Sequence, residues 1–169
     1  MTDKTATLAL EGEGLRFAGQ AGSGHTIVLD DADGDAGMRP AEMLPVALAG
    51  CTAMDVVSIL RKKRQSVTHY EVLATGRQRD EHPHAFTRID VLHVVAGDAL
   101  DIEAVRRSIE LSATKYCSVG ATLSSGMTQI HHGYRVTGDD GLVREAEVVV
   151  LGPHSAVRVV EPAGAVAVA

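Results

Sequence analysis

A mixed helix-and-strand domain is what this sequence predicts, and three observations carry that expectation. Residues Arg39 to Arg64, RPAEMLPVALAGCTAMDVVSILRKKR, form a long apolar segment that ends in a helical pattern. Short runs on either side of it read as strands: Leu15 and Phe17, His25 to Leu29, Val67 to Thr75 and Phe86 to Val95. Between Asp101 and Tyr116, Ile102, Val105, Ile109, Ser112 or Ala113, and Tyr116 recur with a 3.6-residue period, which predicts an amphipathic helix.

The central segment comes first because the rest is arranged around it. Pro40 suits the first position of a helix, where its missing N–H costs nothing. Pro45 fits poorly inside a helix, so either the first helical piece is short or Pro45 lies in its opening turn. Gly50 predicts a break or a close contact before a second piece. Thr52 followed three residues on by Asp55 matches a capping box, with Val56, Val57, Ile59 and Leu60 after it. The basic run Arg61 to Arg64 then falls in the last turns, where cations complement the helix dipole. On this reading Cys51 lies at the positive N-terminus of a buried helix, a place that favours the thiolate and makes a nucleophile. The alternative is a small buried hydrophobe at a Gly-Cys junction. Asp55, one turn away, opposes thiolate formation unless capping turns it toward the backbone.

In chain order, Ala6 to Glu11 alternates loosely, and Gly22 to Gly24 makes a hairpin-like turn between the first strands. Asp30 to Gly37 is an acidic loop whose spacing lacks the terminal Glu of a calcium-binding hand. In Phe86 to Val95, Ile89, Val91 and His93 share one face, and Asp90, Leu92 and Val94 the other. The connection before it is charged and exposed, so His82 and His84 read as solvated loop histidines. Asp101 caps the amphipathic helix, whose polar face holds Arg106, Arg107 and Glu110. Cys117 follows that helix, 66 positions after Cys51, and a short helix begins near Val119. Met127 to Val136 reads as a strand with His131 and His132 on opposite faces. Beyond Gly138, Glu147 to Leu151 and Ala156 to Val160 read as two strands around a Gly-Pro turn, either adding to the sheet or lying on a partner subunit. The last eight residues are expected to be mobile. The partition is thus one domain over 1–138 and a C-terminal extension over 139–169.

Composition narrows the function classes. A net charge of −6 gives no general attraction to nucleic acid. Aromatics are 3% with no Trp, so the core must come from Val, Leu, Ile and Ala. Two cysteines make no secreted disulfide framework. The N-terminus lacks a signal-peptide pattern, and no run reaches the roughly 18 apolar residues of a membrane span. A cytoplasmic protein without metal, cofactor or membrane partner is the expectation.

Pro40-x-Glu42-x-Leu44, the small-residue run before Cys51, the helix after it and a second cysteine behind an amphipathic helix resemble the OsmC/Ohr family of thiol peroxidases. CTAMDVVSILRKKR looks most like its less characterised OsmC-like branch, and the resemblance covers roughly Leu8 to Thr137. It implies an α+β fold in which two chains intertwine, with β-sheets packed around long central helices and active sites at the dimer interface. It further implies a peroxidatic Cys51, a resolving Cys117, an organic hydroperoxide as substrate and a dithiol as reductant, in oxidative-stress defence. Met54, Val57 and Leu44 would favour a greasy substituent. Glu42 stands in roughly the position of the family's glutamate; its alternative role is a favourable acid in a helix's first turn. The arginine that should accompany it is Arg16 or Arg39. A non-catalytic small-molecule binding or redox-sensing protein on the same scaffold is the competing reading, and cysteines that only pack are a third.

Overall fold

The computed structural model describes residues 3–139, 141–150 and 158–160. They fall into two compact units, 1–44 and 45–169, with the boundary in the first turn of the long helix.

The first unit is a three-stranded antiparallel sheet of β1 (Ala6–Leu10), β2 (Phe17–Ala21) and β3 (Thr26–Leu29). The Gly22–Gly24 turn closes the β2–β3 hairpin through Ala21 N–H to His25 O. In the acidic loop that follows, the carboxylates are already engaged by backbone donors. Asp30 accepts from the N–H groups of Asp31 and Ala36, and Asp31 from those of Asp33 and Gly34. A single 3-10 turn, Pro40–Glu42, leads into the helix.

The second unit sets helices against a five-stranded sheet of order β4-β5-β6-β7-β8. Helix α1 (Met43–Lys62) runs unbroken through Pro45 and Gly50. Pro45 sits in its opening turn, as one of the two sequence readings has it. Gly50 does not end the helix, because one glycine costs only about 1 kcal/mol against alanine and a 20-residue helix absorbs that. The buried stripe is Leu48, Thr52, Val56 and Leu60, spaced four apart. Arg61 and Lys62 occupy the last turn, as expected.

Strands β4 (Ser66–Gln78) and β5 (Phe86–Asp98) form a long hairpin. β5 then pairs in parallel with β6 (Gln129–Thr137). A parallel pair needs a long crossover, and here it carries α2 (Ile102–Leu111), a π turn over Ser112–Tyr116 and α3 (Ser118–Leu123). Asp101 caps α2 by accepting from Glu103 N–H, as predicted. Beyond Gly138, β7 (Val143–Val150) and β8 (Arg158–Val160) do extend the sheet, β7 antiparallel to β6 and β8 antiparallel to β7. The Gly-Pro turn between them and the last eight residues lie outside the described residues.

One sheet face is buried: Ile89, Val91, His93 and Val95 of β5 with Ile130, His132, Tyr134 and Val136 of β6. It divides into two apolar clusters. Val56, Leu60, Val95, Val105, Ile109, Tyr134 and Val136 form one, and Leu48, Ile89, Val91, Cys117 and Ile130 the other. Along each strand a histidine separates them. Tyr70 Oη lies 2.7 Å from His93 Nδ1, and His93 Nε2 lies 3.3 Å from His132 Nδ1. Burial drives both imidazoles well below their usual range, His93 to about 3 and His132 to about 4.

By length and mean apolar composition the 23-residue segment Pro40–Lys62 is sufficient to cross a bilayer, although Glu42 and Asp55 interrupt its apolar residues. Its buried stripe packs in the two clusters, the arrangement of a core helix. Its outer side is bare, with Val46 57% and Met54 76% exposed.

Candidate functional site

The two cysteines come from elements far apart in sequence. Cys51 lies in the third turn of α1, so it does not sit at the positive end of a helix, contrary to the sequence reading. The proposed capping box dissolves for the same reason. Thr52 is buried mid-helix, where its hydroxyl accepts from Ser112 Oγ at 3.1 Å, and the Asp55 carboxylate accepts from the same hydroxyl. The cysteine that starts a helix is Cys117, the N-cap of α3, whose sulfur accepts from Gly120 N–H at 3.2 Å. Glycine at 120 permits that approach, since a Cβ there would lie 3.3 Å from the sulfur.

These elements converge on one point. The sulfurs of Cys51 and Cys117 and a carboxylate oxygen of Asp55 all lie within 4.8 Å of one another. Both thiols are free. Cys51 and Asp55 are one helical turn apart on the same face of α1 and half-buried, while Cys117 is buried. Ser112 arrives from the π turn, whose wider pitch is closed by Cys117 N–H to Ser112 O at 2.9 Å. Ser112 was visible in the sequence only as a polar residue on the apolar stripe of its helix. Its partners 60 and 57 positions away were not legible there.

The electrostatics at Cys117 favour the neutral thiol. Burial comes first, then the adjacent Cys51 thiol, with the Asp55 charge adding to them; together they push Cys117 up to about 12 against the opposing Gly120 N–H. At neutral pH Cys117 is therefore a protonated thiol. The walls are apolar: Cys51, Val72, Ala74, Phe86, Val119 and Leu123 pack against the Leu48, Ile89, Val91, Cys117 and Ile130 cluster.

The remaining candidates belong to the first unit, which accounts for their charges locally. Glu42 Oε2 accepts from Arg39 N–H at 2.8 Å, closing a capping box around the 3-10 turn. The Arg39 guanidinium pairs with Asp35 at 2.7 Å, and Arg16 with Glu11 at 3.2 Å.

Known proteins resemble this chain in sequence and in fold. Protein YhfA of Escherichia coli (strain K12) is 46% identical over 124 residues, which is 73% of this chain and 92% of YhfA. A hypothetical protein from Aquifex aeolicus VF5 shares 29% identity at a TM-score of 0.71, over 82% of this chain and 99% of that one. OhrB, the organic hydroperoxide resistance protein of Bacillus subtilis, shares the fold at 14% identity and a TM-score of 0.54, over 79% of this chain and 98% of its own. The family described as OsmC-like protein matches residues 32–140, and together with the YhfA identity it establishes that this chain belongs to the OsmC-like family.

Proposed function

We propose that the protein is a thiol-dependent peroxidase that reduces organic hydroperoxides in oxidative-stress defence. One observation carries the reading: two free thiols, 66 positions apart in sequence, lie within 4.8 Å of one another against an apolar core cluster. Cys51 is the half-buried partner and Cys117 the buried one, which suits attack by the first and resolution by the second.

The chemistry runs in two balanced steps. The Cys51 thiolate attacks the distal oxygen of the hydroperoxide, the O–O bond breaks, and the alkoxide leaves with a proton as the alcohol. Cys51 is then a sulfenic acid. The Cys117 sulfur displaces its hydroxyl, the S–S bond forms, and the thiol proton leaves with that hydroxyl as water. A dithiol reductant restores both thiols by exchange. The apolar wall favours an alkyl substituent by about 0.8 kcal/mol per buried CH₂. The resemblance assigns the supporting carboxylate to Glu42 and the cation to Arg16 or Arg39.

A homodimer belongs to the same proposal. Only 22% of the most apolar window in Pro40–Lys62 is buried within one chain, and a second copy laid on α1 would cover the rest. A cytoplasmic location suits a pair of thiols held reduced.

The test is turnover of an organic hydroperoxide by the reduced chain, with mass analysis of the product. Wild type should consume it and acquire a Cys51–Cys117 disulfide. Cys51→Ser should abolish consumption, and Cys117→Ser should stop after one turnover with a trappable sulfenic acid. Equal, slow consumption by wild type and Cys51→Ser would remove the peroxidase reading. A non-catalytic ligand-binding or redox-sensing protein would then take its place, a reading that the acidic Asp55 beside the thiols already favours.

A further inference from the structure

We infer that Cys51, Asp55 and Cys117 form a three-ligand site for zinc, which the reduced protein binds and the disulfide form cannot. The donor set comes from rigid elements. Two ligands stand one turn apart on α1, and the third is fixed at the start of α3. Their three donor atoms lie within 4.8 Å of one another, so a small inward adjustment of side chains brings each to the bonds of about 2.0–2.3 Å that zinc makes to oxygen and sulfur.

The neighbours already do what outer partners do at metal sites. Ser112 Oγ donates to Asp55 Oδ2 at 2.9 Å, which orients the carboxylate and leaves its other oxygen for a ligand. Gly120 N–H donates to the Cys117 sulfur at 3.2 Å, which fixes its direction and stabilises negative charge on it. Two thiolates and a carboxylate bring three negative charges together. Among the described residues no Lys, Arg or His forms an ion pair with Asp55. A divalent cation supplies that missing charge, and paired thiolates select zinc over magnesium or calcium. Three protein ligands leave a fourth position of the tetrahedron for water. Binding involves no change in oxidation state: each protonated thiol gives its proton to buffer as its sulfur takes the metal.

The site is independent of the peroxidase reading, and the experiment separates the two. Untagged, fully reduced protein is dialysed against zinc, and bound metal is counted by mass spectrometry. Cobalt is used in parallel as a spectroscopic probe. One metal per chain is expected, with sulfur-to-cobalt charge-transfer bands and tetrahedral ligand-field bands. Asp55→Asn retains both thiols, so it should weaken zinc by at least about tenfold, the scale on which even outer partners act. Should Asp55→Asn fail to fold, Cys51→Ser removes a half-buried ligand and should also lose stoichiometric zinc. Prior oxidation to the disulfide should release the metal. Reduced wild type that takes up no zinc, or Asp55→Asn that binds as tightly as wild type, overturns the site. Hydroperoxide consumption is measured on the same metal-free samples. Zinc binding without turnover would keep the metal site and remove the peroxidase, and turnover without zinc binding would do the reverse.

Discussion

At one end of the buried sheet face, α1 contributes Val56 and Leu60 to a cluster completed by Val95, Val105, Ile109, Tyr134 and Val136. At the other end, the same helix and the same two strands contribute Leu48, Ile89, Val91 and Ile130 around Cys117. The two ends share elements and a largely aliphatic composition, and they are divided by the histidines His93 and His132. Only one has the thiols and the carboxylate: Cys51 and Asp55 come from α1, and Cys117 arrives from the crossover between the parallel strands. The first end holds the sheet and helices together. The second uses the same packing to hold two thiols near a carboxylate.

The sharpest way to break this division of labour is Leu60→Ala, which empties a fully buried position in the inert cluster. The expected cost is about 2–5 kcal/mol of unfolding free energy. Thiol reactivity measured below the denaturation midpoint should stay at the wild-type rate. A variant that loses thiol reactivity while still folded would show that the two ends are not separable.

The next effect is titration of the histidine boundary. Both imidazoles have folded-state values, about 3 and about 4, below the ordinary 6.5 of a histidine. The unfolded chain therefore binds protons first as pH falls, and stability is lost from about pH 6.5 downward. His131 beside His132 adds to the same sign. Between pH 7 and pH 5 the two groups together should lower the unfolding free energy by about 4 kcal/mol. Urea midpoints at these pH values measure it, and a His93→Phe, His132→Phe chain should show a flatter profile. An equally steep profile in that chain would assign the acid sensitivity elsewhere.

The smallest expected effect is the most local. Ser112→Ala removes the hydroxyl shared by Thr52 and Asp55, at a cost of about 1.5 kcal/mol. Because it also frees the Asp55 carboxylate, alkylation of Cys51 and Cys117 should change in rate, whereas Leu60→Ala should not alter it. Unchanged alkylation would reduce Ser112 to a packing role.

Most of the sheet was legible in the sequence because its signals are local. The period-two alternation of β5 placed Ile89, Val91 and His93 on the buried face, and Asp101 marked the start of α2 by its own side chain. The site was legible in its two cysteines and not in its geometry. Gly50, Thr52 and Asp55 imitate a helix start at short range, and tertiary packing overrides that signal. Thr52 fills a fully buried position of α1, and Asp55 finds its hydroxyl donor 57 residues away. No local pattern records a partner at that distance. The strands β7 and β8 were foreseen as extended segments, while their place at the sheet edge depends on pairing of β7 with β6 and of β8 with β7.

The π turn makes local helix pitch a determinant of where the Cys117 sulfur stands. It takes one residue more than an α turn to bring the chain from Ser112 to Cys117. Were the same five residues wound with α pitch, the chain would arrive at Cys117 rotated by roughly 100° about the axis. The buried apolar positions of α2 lie upstream and would keep their partners. A substitution that tightened this turn without changing its length would thus leave α2 in place and carry the Cys117 sulfur away from Cys51, so two chains of nearly identical sequence and shape would differ at the thiol pair.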